Sequence, residues 1–493
     1  MTVILDQAPV LLVALPLFCV PLLYFADHAL GFPVRPTALG MYTVLALFAL
    51  ATAITPESPA EGIVVAVGGW HADVGIELAL DPMARLFLPA IAGISLLGVI
   101  AVTPRQSTST YYTLFFLILA GSNGLVLTRD LFNAYVFIEI TSIASYALVG
   151  FRQDRRGFES AFKYLLVGSL ASLMILWGIA GLYAVAGSLS LPVLAERLNE
   201  GPQRLVAGSG ALITAGLLVK LGIVPFHAWK PDAMAGAPRP VAATLSGATA
   251  TAFFLLFVRV YTMLQSVEGA APSTAVLGTF AGASILLGHL MALRQTRLPR
   301  LLAYSSVAHF GYMLAGVVAG TQAALAAALL HALHHGAMKA GLFHYASVSG
   351  DGRPNVERSD AGRSIGGRSI GGRSIGGRSL PVTALVVLSM GMIGIPPTAG
   401  FSSKWLVVLE TARSQYIHPA FGGALAGLVA LGGALALMYY LRLALRAGDR
   451  EGLHPGRSAI AMGVCVVYTL AAFWFTDSLG EFATIAAEHL LEL

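Results

Sequence analysis

Charge is scarce in this chain. Asp, Glu, Lys and Arg make up 11% of its 493 residues, whereas soluble domains carry about 25%, so an ordinary water-soluble fold is excluded. Cysteine is scarcer. Cys19 and Cys465 lie far apart in apolar runs, without the spacing that a disulfide framework, a zinc site or an iron–sulfur cluster requires. Any redox chemistry must live on another chain, and no cofactor or metal is expected on this one. The first apolar stretch, Val10 to Tyr24, lacks a basic leader and a small-residue cleavage site, and reads as a retained helix rather than a signal peptide. The net charge of +5 sits mostly in loops and reports topology, not a nucleic-acid partner.

Long apolar runs fill the rest. Hydrophobic residues make up 56% of the chain, and a helix needs about 20 of them to cross a bilayer. Fourteen such segments fall near 8–25, 37–55, 81–102, 111–128, 131–150, 160–187, 205–228, 239–264, 273–293, 299–319, 322–348, 381–411, 419–446 and 457–476. The expected fold is an all-α polytopic membrane protein with about 14 transmembrane helices. Segments six and eleven exceed the spanning length and can tilt, while segment twelve contains Pro396 and Pro397 and is expected to be broken.

Loop charges orient the chain. Odd-numbered connections carry Arg35, Arg105, Arg152, Arg155, Arg156, Lys230, Arg294, Arg297, Arg300, Arg353, Arg358, Arg446, Arg450 and Arg457. Even-numbered ones carry more carboxylates, among them Glu57, Glu61, Asp73, Glu196, Glu200 and Glu268. Odd loops are therefore expected in the cytoplasm of a bacterium or archaeon, with both termini on the outer face of the cell (inner) membrane. The acidic tail with Asp477, Glu481, Glu488 and Glu492 agrees. The Gly- and Val-rich stretch from Gly68 to Ile76 suits a short extracytoplasmic hairpin. Before segment twelve, Arg-Ser-Ile-Gly-Gly recurs from Arg363 and ends in Arg378-Ser-Leu. A five-residue period with two glycines matches neither helix nor strand, so a flexible basic loop over 361–380 is expected, as a neutral insertion or as a contact for anionic lipid or a partner subunit.

Four ionisable side chains stand out in the apolar background: Glu139, Lys220, Lys339 and Lys404. A charge at mid-bilayer depth costs about 3 kcal/mol on insertion scales, so such residues mark ion paths. Segment five places Glu139 midway along a helix with Thr141 and Ser142 close by. A carboxylate there is either neutral or ionised beside a cation, and alternation between these states is what a proton relay needs. The plainer alternative is a structural hydrogen bond between helices.

Segment seven runs through Lys220-Leu-Gly222-Ile-Val-Pro225-Phe-His227-Ala-Trp229. Pro225 removes a donor and frees a carbonyl about four residues earlier, which implies a broken helix and a hydrated cavity beside Lys220. His227 and Trp229 read as interface residues. In segment eleven, His331, His335 and Lys339 are spaced i, i+4, i+8 and share a helical face. Two histidines one turn apart can bind a metal, but no third ligand is apparent and the ammonium opposes it, so a proton wire fits better. Segment twelve gives Gly394-Ile-Pro396-Pro397-Thr-Ala-Gly400-Phe-Ser-Ser403-Lys404. Lysine then break in one half, and break then lysine in the other, suggest two inverted repeats, each with one broken helix lining an ion site. The chain divides accordingly into N-terminal helices (1–110), a first half-channel (111–264), a second half-channel (273–446) and a C-terminal helix and tail (447–493).

These residues carry a family resemblance. Leu131-Phe-Asn-Ala-Tyr-Val-Phe-Ile-Glu139, the Lys220-to-Trp229 stretch, Ala303-Tyr-Ser-Ser-Val-Ala-His-Phe-Gly-Tyr312, Lys339-Ala-Gly-Leu-Phe and the Gly394-to-Lys404 stretch occur in this order. Over about residues 80–450 the chain resembles the antiporter-like membrane subunits shared by respiratory complex I, Mrp sodium/proton antiporters and membrane-bound hydrogenases, leaning toward the Mrp-D/hydrogenase branch. The resemblance implies a coupling pair at Glu139 and Lys220, midplane proton carriers at His335 and Lys339, and an outlet at Lys404. Where the family usually has Lys or His in segment eight, this chain has Thr251. A threonine holds no proton as a charge, so the central link must pass through a water or His331. Lys163 reads as snorkelling to the cytoplasmic face rather than joining the Glu139 site. His309 suits a helix–helix hydrogen bond as well as a proton donor.

Two functional classes follow. One is a proton-translocating subunit of a multisubunit complex, with exchange for Na⁺ as a variant, whose partners are other membrane subunits. The other is a non-conducting scaffold, for which Thr251 is the main support; four buried charges argue against it, since apolar residues serve a purely structural helix better.

Overall fold

The protein is described by a computed structural model covering residues 6–54, 62–71, 73–349, 376–448 and 457–492. Its helices follow the apolar segments closely. In the N-terminal part these are α1 (Ala8–His28), α2 (Val34–Ile54), α3 (Pro82–Ile100), α4 (Ser109–Leu127), α5 (Leu131–Gly150) and α6 (Arg155–Ala186). After the short α7 (Leu191–Arg197) come α8 (Gln203–Leu221) and α9 (Trp229–Gly236). A span from Arg239 to Gln265 is built of α10 (Arg239–Thr244), a π-helical turn (Leu245–Thr249) and α11 (Ala250–Gln265). The remainder is α12 (Thr274–Leu293), α13 (Leu298–Val318), α14 (Gln322–Val348), α15 (Gly376–Ile393), α16 (Ala399–Arg413), α17 (Pro419–Gly448), α18 (Ser458–Trp474) and α19 (Thr476–Leu491).

Polar residues set the helix starts. Asp81, Asp130 and Asp154 accept the amides of Ala84, Asn133 and Gly157 at 2.8, 2.6 and 2.6 Å, and so cap α3, α5 and α6. Thr108 and Thr321 do the same for α4 and α14. A hairpin is present, in which β1 (Ile63–Ala66) pairs antiparallel with β2 (Glu77–Leu80), so that its strands flank the expected Gly68–Ile76 stretch instead of lying in it.

Large apolar side chains face outward on the peripheral helices, among them Phe18, Val44, Trp177 and Met438. Such a surface suits lipid and not water. The inner helices are enclosed by their neighbours. The Arg239–Gln265 span is wholly buried from Pro240 to Leu264, and α14 packs against α10, α13, α15, α16, α18 and α19.

Two expectations need correction, and the tail adds a helix. Among the described residues, eleven helices are long and apolar enough to cross a membrane, or twelve if α18 and α19, bent by 85°, count as one span. The expected fourteen included segment eleven, whose four histidines and lysine make α14 less apolar, and segment twelve, which the break divides into the short α15 and α16. The acidic tail is helical: Ala483, Ala486, Ala487 and Leu490 recur at i, i+3, i+4, i+7 and bury one face of α19. The Arg-Ser-Ile-Gly-Gly repeat lies outside the described residues except for 376–380, which form the first turn of α15 rather than a loop.

An ion pair also ties the core together. Arg259 Nη2 donates to Asp81 Oδ2 at 2.6 Å and to the Val126 carbonyl at 2.9 Å, linking α11 to α3 and α4, and both partners are buried.

Candidate functional site

Glu139 projects from the middle of α5, where Ser142 and Tyr146 follow at i+3 and i+7 on the same face. Its Oε1 is buried and has no hydrogen-bond partner. Lys220 meets this face from the last turn of α8, where the negative end of the helix dipole favours a cation. Its Nζ donates to Ser142 Oγ at 2.8 Å and to Tyr146 OH at 3.4 Å. Thus the helices bring Glu139 and Lys220 to one face, but a hydroxyl and a phenol, not the carboxylate, take the ammonium.

Segment seven breaks where expected. α8 stops because Gly222 adopts φ +71°, and the Gly222 and Ile223 amides turn back onto the Val219 and Leu218 carbonyls. Past Pro225 the chain re-enters a helix at Trp229. The carbonyls left over at the break are taken by protein donors: Trp229 Nε1 bonds Val219 O at 2.9 Å and Lys230 Nζ bonds Leu221 O at 2.6 Å. Trp229 is therefore a buried pin of the broken helix, not an interface residue; His227 is half-exposed.

Lys230 departs furthest from expectation. Counted among the cytoplasmic loop cations, it is 2% exposed, and its ammonium lies 4.0 Å from the centre of the Phe310 ring. Phe310 in turn packs against His335, with ring centres 5.3 Å apart. Thr251, by contrast, spends its hydroxyl on the Gly247 carbonyl of its own helix at 2.6 Å. Lys230 thus stands between the α8 break and the α14 histidines.

The second break is built the same way. α15 ends where Gly394 adopts φ +88°, with the Gly394 and Ile395 amides both turned onto Met390 O. Past Pro396 and Pro397, Lys404 in α16 reaches back to the Met392 and Ile393 carbonyls at 2.6 and 3.0 Å. Each lysine stem packs over the left-handed glycine: a Cβ on Gly222 would lie 2.8 Å from Lys230 Cδ, and one on Gly394 3.0 Å from Lys404 Cδ. The structural counterpart of Lys404 is thus Lys230, not Lys220. Both breaks run in one chain order, helix, glycine, proline, lysine, and the reversal read between Lys220 and Lys404 compares residues that do different work.

Between the breaks lies a buried row on α13 and α14. Lys339 donates to the Leu302 carbonyl at 2.8 Å. His335 stacks on His309 at 5.3 Å between ring centres, and both its ring nitrogens are buried and unpartnered. His309 Nδ1 lies 3.0 Å from His331 Nε2, and His331 Nδ1 lies 3.0 Å from Ser403 Oγ, one residue from Lys404. His309 is thus bonded across helices and lies within the row.

A side branch had no counterpart in the sequence reading. The Lys404 ammonium lies 4.9 Å from the centre of the Tyr312 ring, and the Tyr312 hydroxyl lies 2.5 Å from His289 Nε2. His289 Nδ1 is 3.0 Å from Tyr439 OH, which donates to Ser305 at 3.2 Å. Tyr439 also borders a small cavity of about 30 Å³ whose lining includes Arg442 and Arg446. His289, Tyr312 and Tyr439 stand on α12, α13 and α17, so no spacing along one segment gave a signal in sequence. Lys163 lies apart from this path, pairing with Glu159 at 2.6 Å and Asp232 at 3.2 Å.

Residues 128–427 match the family described as "NADH:quinone oxidoreductase/Mrp antiporter, TM". The chain is 39% identical to NADH-quinone oxidoreductase subunit N of Desulforudis audaxviator (strain MP104C) over 358 residues, 70% of this chain and 68% of that one. It is 32% identical to subunit N of Rubrobacter xylanophilus over 430 residues, 83% of this chain and 84% of that one. Among solved structures, a chain of the membrane-bound sulfane sulfur reductase, an archaeal respiratory membrane complex, superposes with a TM-score of 0.87 at 27% identity, over 98% of each chain. The chain therefore belongs to the NADH:quinone oxidoreductase/Mrp antiporter family, as an antiporter-like polytopic membrane subunit.

Proposed function

We propose that this chain carries protons across a bacterial or archaeal cell membrane as one subunit of a multisubunit respiratory or antiporter complex. The observation that carries this reading is the buried row from the α8 break to the α16 lysine, in which Lys220, Lys230, His335, Lys339, His309, His331 and Lys404 lie in the interior of the bundle. Proton handling gives these costly residues a purpose that apolar packing does not.

Each link has a defined part. Glu139 Oε1 is open to a proton, and the Lys220 ammonium one turn away supplies one or takes one back, with Ser142 and Tyr146 holding it in either state. Lys230 bridges the gap that Thr251 leaves. In the His309–His331–Ser403 run, a neutral imidazole receives a proton on one nitrogen and releases another from its second. Lys404 ends the row at the second break. The matching construction of the two breaks favours an origin from related halves, with inverted orientation as the expected form. Odd-numbered loops face the cytoplasm in this reading, and both termini the outer side.

The partners are other membrane subunits, since the relatives are named as subunits of NADH-quinone oxidoreductase and of a respiratory membrane complex. The scaffold reading draws on Thr251 bonding its own backbone, but Lys230 occupies the link that a scaffold would leave empty. Proton and sodium flux in sealed vesicles carrying the assembled complex, wild type against Lys220→Ala and Glu139→Gln, tests the proposal. Loss of proton flux with the complex assembled supports it, and sodium dependence of that flux adds exchange. Unchanged flux in both variants leaves the scaffold.

A further inference from the structure

A cavity of about 330 Å³ lies off the proton path, where α6, α10 and α13 begin and α9 ends. Six cations line it: Arg152, Arg156, Lys163, Arg239, Arg297 and Arg300. Against them stand two carboxylates. Asp232 holds Lys163 at 3.2 Å and Arg300 at 2.5 Å, and Glu159 holds Lys163 at 2.6 Å. Arg152 turns to Asp154 at 3.0 Å, outside the lining, and Arg239 donates to the Met234 and Ala235 carbonyls that end α9. Arg156 and Arg297 have no ion-pair partner among the described residues. Six positive side chains set against Glu159, Asp232 and the neighbouring Asp154 leave an excess of three positive charges, which repel one another unless an anion sits between them.

The backbone adds to this field. α13 is 21 residues long and starts at the cavity, and its N-cap Arg297 provides no side-chain acceptor, so its positive end is uncapped. Arginine side chains suit phosphate in particular, because the planar guanidinium matches two oxygens at once. The volume lies at the small end of ligand pockets, about 300–1,000 Å³, and suits a headgroup.

The surroundings select among phosphate sources. On α6, Phe158, Phe162 and Leu166 repeat at i, i+4, i+8 and are 56%, 61% and 52% exposed, forming an apolar stripe that starts at the cavity rim. Free phosphate makes no use of that stripe, whereas acyl chains do. The cavity also lies on the face that loop charges assign to the cytoplasm, and basic pockets between transmembrane helices on that side bind anionic lipid headgroups.

We propose that this cavity is a binding site for the phosphate headgroup of an anionic phospholipid, with its acyl chains lying along the Phe158–Phe162–Leu166 stripe of α6. Arg156 and Arg297 are the free cations that hold the phosphate, and the Asp232 pairs fix the wall behind it.

The test is native mass spectrometry of the full-length, delipidated chain in detergent, titrated with dioleoylphosphatidylglycerol and separately with dioleoylphosphatidylcholine. Both arginines are exposed, so Arg156→Gln/Arg297→Gln folds as the wild type does; Arg442→Gln/Arg446→Gln, on the same face but outside the cavity, is the control. The expected result is tight retention of phosphatidylglycerol that weakens tenfold or more in the first variant and stays within twofold in the control. Phosphatidylcholine binding is expected to be weaker and equal in all three proteins. Arg156→Lys/Arg297→Lys is expected to restore part of the loss, since charge returns without the two-oxygen fork. Equal phosphatidylglycerol binding in wild type and the cavity variant overturns the proposal, and so does an equal loss in the control pair, which marks diffuse surface charge. Displacement of the lipid by millimolar inorganic phosphate also overturns it, in favour of a free-phosphate site. None of these readouts depends on proton flux.

Discussion

Replacing Lys230 by Met keeps the length of the side chain and removes only its ammonium, and so separates the two tasks this residue performs. On stability the terms oppose one another. The substitution gives up a bond from a charged donor to Leu221 O, worth about 1.5–3 kcal/mol, and a desolvated cation–π contact with Phe310, worth about 2 kcal/mol. It also removes a buried charge whose desolvation costs several kcal/mol. The net change in stability is expected to stay within about 2 kcal/mol. On transport nothing compensates. Without the lysine a proton must cross apolar surroundings between the α8 break and His335, at about 3 kcal/mol for a charge at mid-membrane depth. At 1.36 kcal/mol per decade that is about a hundredfold loss of flux. Lys230→Arg keeps the cation and a donor for Leu221 O, yet a guanidinium does not release its proton, so flux is expected to fall about as far. The assay is acidification or alkalinisation of sealed vesicles carrying the assembled complex, with assembly checked on native gels. Flux within twofold of wild type in Lys230→Met refutes the reasoning.

Three further outcomes are expected. Arg259→Met leaves the Asp81 carboxylate buried without its cation and costs about 3–5 kcal/mol, whereas adding Asp81→Asn recovers most of that loss; thermal unfolding in detergent reads this, and additive losses contradict it. Gly394→Ala forces φ +88° on a residue with a Cβ, at about 1–2 kcal/mol, and pushes on the Lys404 stem, so both the melting temperature and proton flux drop, while Gly423→Ala, with nothing within 4 Å, changes neither. Ser403→Ala removes the partner of His331 Nδ1, a bond worth about 1 kcal/mol, and lowers flux several-fold without loss of assembly.

The sequence was most readable where physics constrains it most. Apolar runs of spanning length had to be helices, and the glycine–proline pairs at Gly222/Pro225 and Gly394/Pro396 had to break them. Glu139, Lys220, Lys339 and Lys404 were visible because ionisable groups in such runs are costly. Lys230 was missed because it follows the first break by five residues and precedes a proline, which makes it look like a loop cation; only the fold shows it turning back to the carbonyls freed by that break. The shared signal was nonetheless present, since Gly222-Ile223 and Gly394-Ile395 both precede a proline and, further on, a lysine. His289, Tyr312 and Tyr439 come from three helices, and no periodicity along one chain segment announces a network that forms between helices. The basic cavity was hidden for a similar reason: Arg152, Arg156, Arg297 and Arg300 were read as markers of sidedness, and their convergence depends on how α6, α10 and α13 pack.

The most direct test of a single continuous path is the proton flux of Lys220→Met, Lys339→Met and the double variant, measured side by side in sealed vesicles with the complex assembled. For links in series, each single variant loses nearly all flux and the double variant loses no more. Two half-losses that add up in the double variant contradict the single path, and wild-type flux in all three contradicts proton carriage by this chain altogether.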